Sequence, residues 1–192
     1  MTIRVGIAGY GNLGRGVESA IGQNKDMELV GVFSRRSPED VKLLTNHVPV
    51  YKMEDIQDFT DTIDVLILCG GSKNDLPEQG PALAALFNTV DSFDTHAKIP
   101  DYFEAVNAAA APNGKTAIIS VGWDPGLFSS NRLYGESVLP KGETYTFWGK
   151  GLSQGHSVAV RRITGVKGGV QYTIHVPVGG YGVGHGGFPE LL

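Results

Sequence analysis

Two aspartates, Asp94 and Asp124, lie in short polar segments that directly follow apolar stretches of the chain. Two carboxylates that leave neighbouring strand ends could hold a substrate ammonium group and accept its proton. Trp123, beside Asp124, could keep water away and fix the position of the reacting carbon. The alternative is structural, since Asp94 could begin a helix and the Asp-Pro-Gly at 124–126 could form a turn. Spacing alone leaves both interpretations open.

The glycines near the N-terminus have the spacing of a phosphate-binding turn. Gly9, Gly11 and Gly14 follow an apolar run and open a helical pattern, the context in which this spacing has a mechanism. Gly9 permits the tight turn, Gly11 lets the main chain approach a pyrophosphate, and Gly14 lets the helix pack on the strand. Asn12 and Leu13 complete the turn, and the helix that follows presents free N–H groups to the phosphates.

The second apolar run, 29–33, ends in Ser34, Arg35 and Arg36. Dinucleotide-binding folds usually have an acidic residue here, roughly 20 residues after the glycines, on the ribose hydroxyl. A carboxylate would repel a 2′-phosphate, whereas a hydroxyl and two guanidinium groups donate hydrogen bonds to it. We therefore predict NADP rather than NAD as the cofactor. The alternative is an ordinary strand-to-helix turn with two solvated arginines.

Strand-like and helix-like segments alternate, which predicts a parallel sheet covered by helices. The predicted strands are 3–8, 29–33, 65–69, 89–91 and 116–120, and the predicted helices are 15–21, 81–87 and 102–111. Ligands bind beyond the carboxyl ends of such strands, so the loops after residues 69, 91 and 120 should share one crevice with the glycine turn. On these loops the residues predicted to contact the cofactor are Cys69, Gly70, Gly71, Ser72 and Asp91.

Composition limits the remaining function classes. The 192 residues are 41% hydrophobic, enough to bury a core, and the length indicates one to two domains. A net charge of -4 argues against nucleic acid or an anionic membrane as the main partner. No apolar stretch could span a bilayer, and the N-terminus has no signal-like segment. We expect a soluble, cytoplasmic protein that acts on a small molecule.

Metal chemistry has little support in this sequence. The histidines have no close paired spacing, and a single cysteine cannot build a thiolate site. As a small side chain in a buried strand, Cys69 needs no catalytic role. We therefore predict no metal site and no disulfide. The histidines are His47, His96, His156, His175 and His185.

Seven segments together resemble the meso-diaminopimelate dehydrogenase family. They are 9–15, 34–36, 76–79, 91–94, 122–126, 146–149 and 152–157. The resemblance extends from about Thr2 to Thr173, and the segments 123–126 and 153–157 are specific to that family. It implies a bacterial, homodimeric, NADP-dependent oxidoreductase of lysine and cell-wall precursor synthesis. Such an enzyme reversibly oxidises the D-configured amino centre of meso-diaminopimelate to L-2-amino-6-oxopimelate and releases ammonia.

The resemblance also implies roles for individual residues at the reacting centre. Asp94 and Asp124 match residues that contact its amino group, and Trp123 and Trp148 match residues that line the substrate pocket. The substrate has two amino-acid ends of opposite hand, which the site must distinguish by geometry. Hydride transfer requires the reacting carbon to align with the nicotinamide, so one centre is processed.

Different residues of this chain match the family residues that bind the two carboxylates of the substrate. Ser153, Gln154 and Gly155 match a segment whose main-chain N–H groups bind the carboxylate of the reacting centre. Thr173 matches a threonine that binds the distal carboxylate. His185, in a His-Gly-Gly-Phe run, resembles a histidine that contacts the same distal group.

Family members are much longer than this chain, and the portion expected to be absent normally supplies the dimerisation region and most of the substrate domain. Six of the ten residues at 179–188 are glycine, too flexible to form a packed replacement. We expect an α/β, Rossmann-like, doubly wound parallel sheet at 1–120. The truncated start of an α+β substrate domain follows at 121–178, and a glycine-rich tail at 179–192. The chain is then either a shortened, active dehydrogenase or an NADP-binding fragment without turnover.

Overall fold

The computed structural model describes residues 2–45, 48–139, 141, 151–153, 157, 160–161 and 163–173. The chain divides into two units, Met1–Pro140 and Lys141–Leu192. Among the described residues, no helix combines the length and the apolar character needed to cross a membrane.

The first unit contains one sheet of six strands. They are β1 (Ile3–Ala8), β2 (Met27–Ser34), β3 (Val50–Lys52), β4 (Val65–Leu68), β5 (Thr89–Asp91) and β6 (Ala117–Ile118). All neighbouring pairs are parallel, and the strand order is β3-β2-β1-β4-β5-β6. The chain winds outwards from β1 in one direction and then in the other, which makes the sheet doubly wound. The predicted Rossmann-like α/β fold is confirmed.

Within residues 2–45 and 48–139, four segments form α-helices: α1 (Asn12–Ile21), α2 (Leu76–Ala84), α3 (Ile99–Ala110) and α4 (Phe128–Val138). Pro77 and Pro100 stand in the first turns of α2 and α3, where a missing N–H costs no hydrogen bond. Both helices therefore begin before the positions that the apolar pattern predicts. A π-helical turn, Trp123–Leu127, leads into α4, and 3₁₀ turns lie at Pro38–Asp40, Met53–Phe59, His96–Lys98 and Ala111–Asn113.

The apolar residues of the strands alternate between two cores. On β4, Leu66 and Leu68 join one cluster while Ile67 packs against the other. On β2, Phe33 belongs to the first cluster and Val32 to the second. Successive side chains of a strand point to opposite faces, so the central strands supply both layers of the core.

The edges of the sheet differ from the sequence prediction. The pattern does not predict β3, which has three residues and pairs with β2, Val32 opposite Val50. At the other edge, residues 116–120 are expected as a strand, and Ala117–Ile118 pair with β5. Short edge strands carry too little periodicity to be recognised locally, because their pairing depends on the neighbouring strand.

The described part of the second unit contains a two-stranded antiparallel ribbon. It consists of β7 (Gly151–Ser153) and β8 (Gln171–Thr173), with Leu152 opposite Tyr172. Near the ribbon, Arg161 donates a hydrogen bond from Nη1 to the carbonyl of Gly169 at 2.9 Å. The helix α4 belongs to the first unit, which extends beyond the expected boundary at 120.

Candidate functional site

Each glycine of the N-terminal turn meets a different steric requirement. Gly9 has φ +97°, and its N–H donates to the carbonyl of Phe33 at 2.8 Å. A Cβ on Gly14 would collide with the carbonyl oxygen of Gly9. A Cβ on Gly11 would meet no protein atom within 4 Å. Gly9 and Gly14 are thus required by the turn itself, whereas the main chain at Gly11 is open to a ligand, as a phosphate-binding turn needs.

The turn adjoins a cationic cavity of about 360 Å³. Asn12 and Leu13 are exposed at the start of α1. The cavity lining includes Gly11 and three cations, Arg15, Arg36 and Lys42. The helix N-terminus adds a partial positive charge, so this surface favours a phosphate group. The local sequence pattern did not identify Arg15 or Lys42, although Arg15 directly follows the glycine motif.

The segment after β2 is organised by its own hydrogen bonds. Ser34 is 4% exposed, and its hydroxyl accepts a hydrogen bond from the N–H of Arg36 at 3.1 Å. The guanidinium of Arg36 donates to the carbonyl of Tyr10 in the glycine turn. Arg35 extends from an exposed position and forms an ion pair with Asp75, Nη1 to Oδ1, at 2.9 Å. Ser34 shapes the turn, while the two arginines supply its exposed charges.

The loops after β4 and β5 are joined through Ser72. Its hydroxyl accepts a hydrogen bond from the main-chain N–H of Asp94 at 2.9 Å and lies 3.2 Å from the hydroxyl of Thr95. The predicted cofactor residue Ser72 and the predicted catalytic residue Asp94 are therefore brought together. The carboxylate of Asp94 belongs to an exposed residue.

Cys69, Gly70 and Gly71 lie between β4 and α2, beside the glycine turn. The N–H of Cys69 donates to the carbonyl of Ala8 at 2.7 Å, and a Cβ on Gly9 would lie 3.2 Å from the carbonyl of Cys69. Burial raises the pKa of the Cys69 thiol to about 12, which keeps it protonated at neutral pH. The thiol is therefore a packing group beside the turn, not a nucleophile.

Asp91 has a different environment from the one predicted. It is 3% exposed, and its carboxylate accepts hydrogen bonds from the N–H groups of Phe93 and Ser120 and from the hydroxyl of Tyr102. Burial, together with the hydrogen bond to Asp91, raises the pKa of Tyr102 above its ordinary value. The Asp91 side chain thus joins β5, the end of β6 and α3. That Asp91 also contacts the cofactor stays a prediction.

Asp124 and Trp123 follow β6, the strand next to β5. Both stand in the π-helical turn, and the side chain of Asp124 lies outside the described residues. Trp123 is 67% exposed, and its ring centroid lies 5.3 Å from that of Phe128. The segments that carry Asp94 and Asp124 therefore leave neighbouring strands, as predicted.

Two predicted substrate residues lie on the ribbon of the second unit. Ser153 pairs with Gln171, and Thr173 pairs with Gly151. The predicted residues that lie outside the described part of the chain are Trp148, Gln154, Gly155 and His185. Within the described part, no three His, Cys, Asp or Glu side chains are grouped as metal ligands would be.

Comparison with known proteins shows which family this chain resembles. A profile of the diaminopimelic acid dehydrogenase C-terminal domain matches residues 122–181. Over 189 residues the chain is 67% identical to the meso-diaminopimelate D-dehydrogenase of Ureibacillus thermosphaericus. The alignment covers 98% of this chain and 58% of that protein. The chain is similar to the meso-diaminopimelate dehydrogenases over nearly its whole length.

Two solved structures related to this family have the same architecture. DAP dehydrogenase of Corynebacterium glutamicum, in complex with DAP, is 51% identical with a TM-score of 0.80. An engineered D-amino acid dehydrogenase bound to NADP+ is 50% identical with a TM-score of 0.78. Each match covers 90% of this chain and 52% of the other. The chain therefore spans 52–58% of the length of these proteins.

The match to the meso-diaminopimelate dehydrogenase family continues beyond Thr173. Because the alignment with the Ureibacillus protein covers 98% of the chain, the expectation that the resemblance ends near Thr173 is wrong. The glycine-rich stretch at 179–188 lies within the aligned range. The family profile begins at 122, close to the predicted boundary, whereas the first structural unit ends at Pro140. The division at 120 stays a prediction.

Proposed function

We propose that this chain supplies the cofactor-binding part and the start of the substrate-binding part of an NADP-dependent enzyme. The enzyme reversibly oxidises the D-centre of meso-diaminopimelate to L-2-amino-6-oxopimelate, with release of ammonia, in lysine synthesis. The observation that carries this proposal is the 67% identity over 98% of the chain to a meso-diaminopimelate D-dehydrogenase. Cytoplasmic location stays a prediction from composition, and dimerisation stays a prediction from the family resemblance.

NADP as the cofactor is supported by the geometry at the ends of β1 and β2. The open main chain at Gly11 suits a pyrophosphate, and Arg35 and Arg36 follow β2 where NAD-binding folds carry an acid. Guanidinium groups bind a 2′-phosphate through charge-assisted hydrogen bonds. A related engineered enzyme has been solved with NADP+.

The proposed chemistry assigns Asp94 and Asp124 to the amino group at the reacting centre. Their carboxylates hold the substrate ammonium and take up its proton, which frees the nitrogen lone pair. When bound, NADP would supply the acceptor for the hydride that leaves the reacting carbon. Water then hydrolyses the resulting imine to the 6-oxo group and ammonia. Trp123 and Trp148 limit the access of bulk water and hold the carbon in place.

The same proposal assigns the remaining polar residues to the substrate carboxylates. The main-chain N–H groups of Ser153, Gln154 and Gly155 bind the carboxylate beside the reacting carbon. Thr173 and His185 bind the carboxylate at the distal end. Binding energy from the distal end positions the reacting carbon for hydride transfer.

Two measurements on one sample test the proposal. Titration with NADP and with NAD should show tighter binding of NADP, and addition of meso-diaminopimelate with NADP should form little or no NADPH with this chain alone. A chain that binds NADP but forms no NADPH would support the fragment without turnover. A chain that binds neither nucleotide would contradict the proposal.

Substitution of the two arginines tests the preference for NADP over NAD. Arg35→Ala with Arg36→Ala should weaken NADP binding by at least about tenfold, since charge-assisted contacts contribute roughly 1.5–3 kcal/mol each before solvent screening. NAD binding should change much less. Lys25→Ala removes an exposed cation before β2, at the opposite edge of the sheet, and should leave both affinities unchanged. Equal losses for NADP and NAD in the arginine variant would contradict the assignment of the 2′-phosphate.

A further inference from the structure

An ion pair crosses the carboxyl edge of the sheet above the glycine turn. Arg35 follows β2 and Asp75 follows β4, and these two strands flank β1. The guanidinium Nη1 of Arg35 lies 2.9 Å from Oδ1 of Asp75. The pair therefore links the segment proposed to bind the 2′-phosphate to the loop after β4.

Asp75 is the anchored partner of this pair. Its side chain is 16% exposed, and its Oδ2 accepts a hydrogen bond from the N–H of Gly71 at 2.8 Å. A Cβ on Gly70 would lie 2.8 Å from the Cβ of Asp75, so the loop packs closely around this residue. The side chain of Arg35, by contrast, is 68% exposed. The position of the carboxylate is set by its own loop, and the guanidinium reaches towards it.

We propose that Asp75 is a specificity-determining residue that competes with the 2′-phosphate of NADP for Arg35. This inference rests on the proposed function, since it concerns the same cofactor. An exposed ion pair contributes little free energy, so a phosphate can take over the guanidinium. NAD has no 2′-phosphate, so Asp75 lowers the affinity for NADP selectively.

The substitution Asp75→Asn removes the negative charge of the side chain but keeps its hydrogen bond within the loop. The amide oxygen of asparagine can still accept the hydrogen bond from Gly71, while the ion pair with Arg35 is lost. We expect NADP to bind about two- to fivefold more tightly, the range that an exposed ion pair provides. NAD binding should change by less than about 1.5-fold. Calorimetric titration of the 192-residue chain with each nucleotide measures both values.

A double-mutant cycle tests whether the effect passes through Arg35. In the Arg35→Ala background, Asp75→Asn should no longer strengthen NADP binding. Glu78→Gln removes an exposed carboxylate from the first turn of α2 and controls for the change in net charge. This control should leave the ratio of NADP to NAD affinity unchanged.

Four results would overturn the inference. They are weaker NADP binding in Asp75→Asn, equal tightening of NADP and NAD, a gain that persists without Arg35, and an equal gain in Glu78→Gln. If the unmodified chain prefers NADP and the ratio does not respond to Asp75→Asn, the inference fails and the proposed function stands. If the unmodified chain binds neither nucleotide, both fail.

Discussion

At the scale of single residues, Glu18 is a buried carboxylate that joins α1 to a distant loop. It is 2% exposed and accepts hydrogen bonds from the Tyr10 hydroxyl, from the N–H of Leu44 and from the N–H and hydroxyl of Thr45. Burial by itself would raise the pKa of Glu18, but the hydrogen bonds from Thr45, Tyr10 and the main chain outweigh it and lower the pKa. The carboxylate thus stays charged and holds this loop against the glycine turn.

Replacing Glu18 with glutamine should lower the free energy of unfolding by about 1–3 kcal/mol at pH 7, because hydrogen bonds to a buried charge are lost. The pKa of Glu18 is lower in the folded chain than its ordinary value of 4.5. Its stabilisation is therefore complete above that value and is lost as the pH falls below it. Urea unfolding at pH 7 and at about pH 3.5 should show a smaller difference between the two proteins at the lower pH.

The matched control for Glu18 is Glu104→Gln, on the exposed side of α3. It should change the free energy of unfolding by less than about 0.5 kcal/mol at both pH values. A Glu18→Gln variant as stable as the unmodified chain at pH 7 would show that the buried hydrogen bonds contribute nothing net.

Asp124 offers a second prediction at the residue scale. Asp124→Asn keeps the shape of the side chain but removes the charge proposed to hold the substrate ammonium. In a chain that turns over, we expect kcat for NADPH formation to fall by about 10²-fold or more, the usual range for loss of a general base. The affinity for NADP should stay nearly unchanged. Steady-state kinetics and nucleotide titration measure the two quantities.

The control for Asp124 is Asp101→Asn, an exposed carboxylate in the first turn of α3. It should leave kcat unchanged. Normal activity in Asp124→Asn would instead support the structural alternative, in which residues 124–126 form a turn.

At the scale of elements, the glycines between β1 and α1 have different roles. One is needed because a side chain would not fit, and another leaves the main chain open to a ligand. Gly14 faces the turn, and a Cβ there would collide with the main chain of Gly9. Gly11 and Gly16 have no protein atom within 4 Å of such a Cβ. Gly16 lies two residues beyond Gly14, on the opposite side of α1.

Three alanine substitutions in this connection should have three different outcomes. Gly14→Ala should destabilise the fold by several kcal/mol or prevent folding, since the main chain must move. Gly11→Ala should change stability by less than about 1 kcal/mol but weaken NADP binding by about tenfold or more. Gly16→Ala should stabilise α1 by about 0.5–1 kcal/mol and leave NADP binding unchanged.

Thermal unfolding and nucleotide titration of the three glycine variants measure these effects. Unaltered NADP affinity in Gly11→Ala would mean that the pyrophosphate does not approach this turn. That result would argue against the proposed cofactor site while leaving the fold assignment intact.

At the scale of the whole molecule, α4 exposes apolar surface. None of its residues is buried. Leu133, Tyr134, Val138 and Leu139, on and directly after α4, are 60–73% exposed. A contiguous apolar surface of this kind favours association.

We expect the 192-residue chain to self-associate with rising concentration through α4. Leu133→Lys with Tyr134→Lys should shift the sedimentation velocity profile towards the monomer. Phe103→Lys alters an exposed apolar residue on α3, 52% exposed, and should leave the profile unchanged. A profile independent of concentration in the unmodified chain would contradict this prediction.

Local patterns in the sequence predict the central fold, and they predict which loops carry the candidate site. Alternating apolar positions in β1, β2 and β4 serve two cores, and glycine spacing predicts the turn from β1 to α1. These signals are local, because a strand or a tight turn imposes its requirements on consecutive residues. The same signals place Asp94 and Asp124 after neighbouring strands.

Only the tertiary structure decided which side chains meet across the sheet. Asp91 turns inward to Tyr102, Glu18 binds Thr45, and Arg35 pairs with Asp75. The strand β3 exists through its pairing with β2. Such contacts join groups that are distant along the chain, so they follow from the packing of the strands and leave no periodic pattern in the sequence.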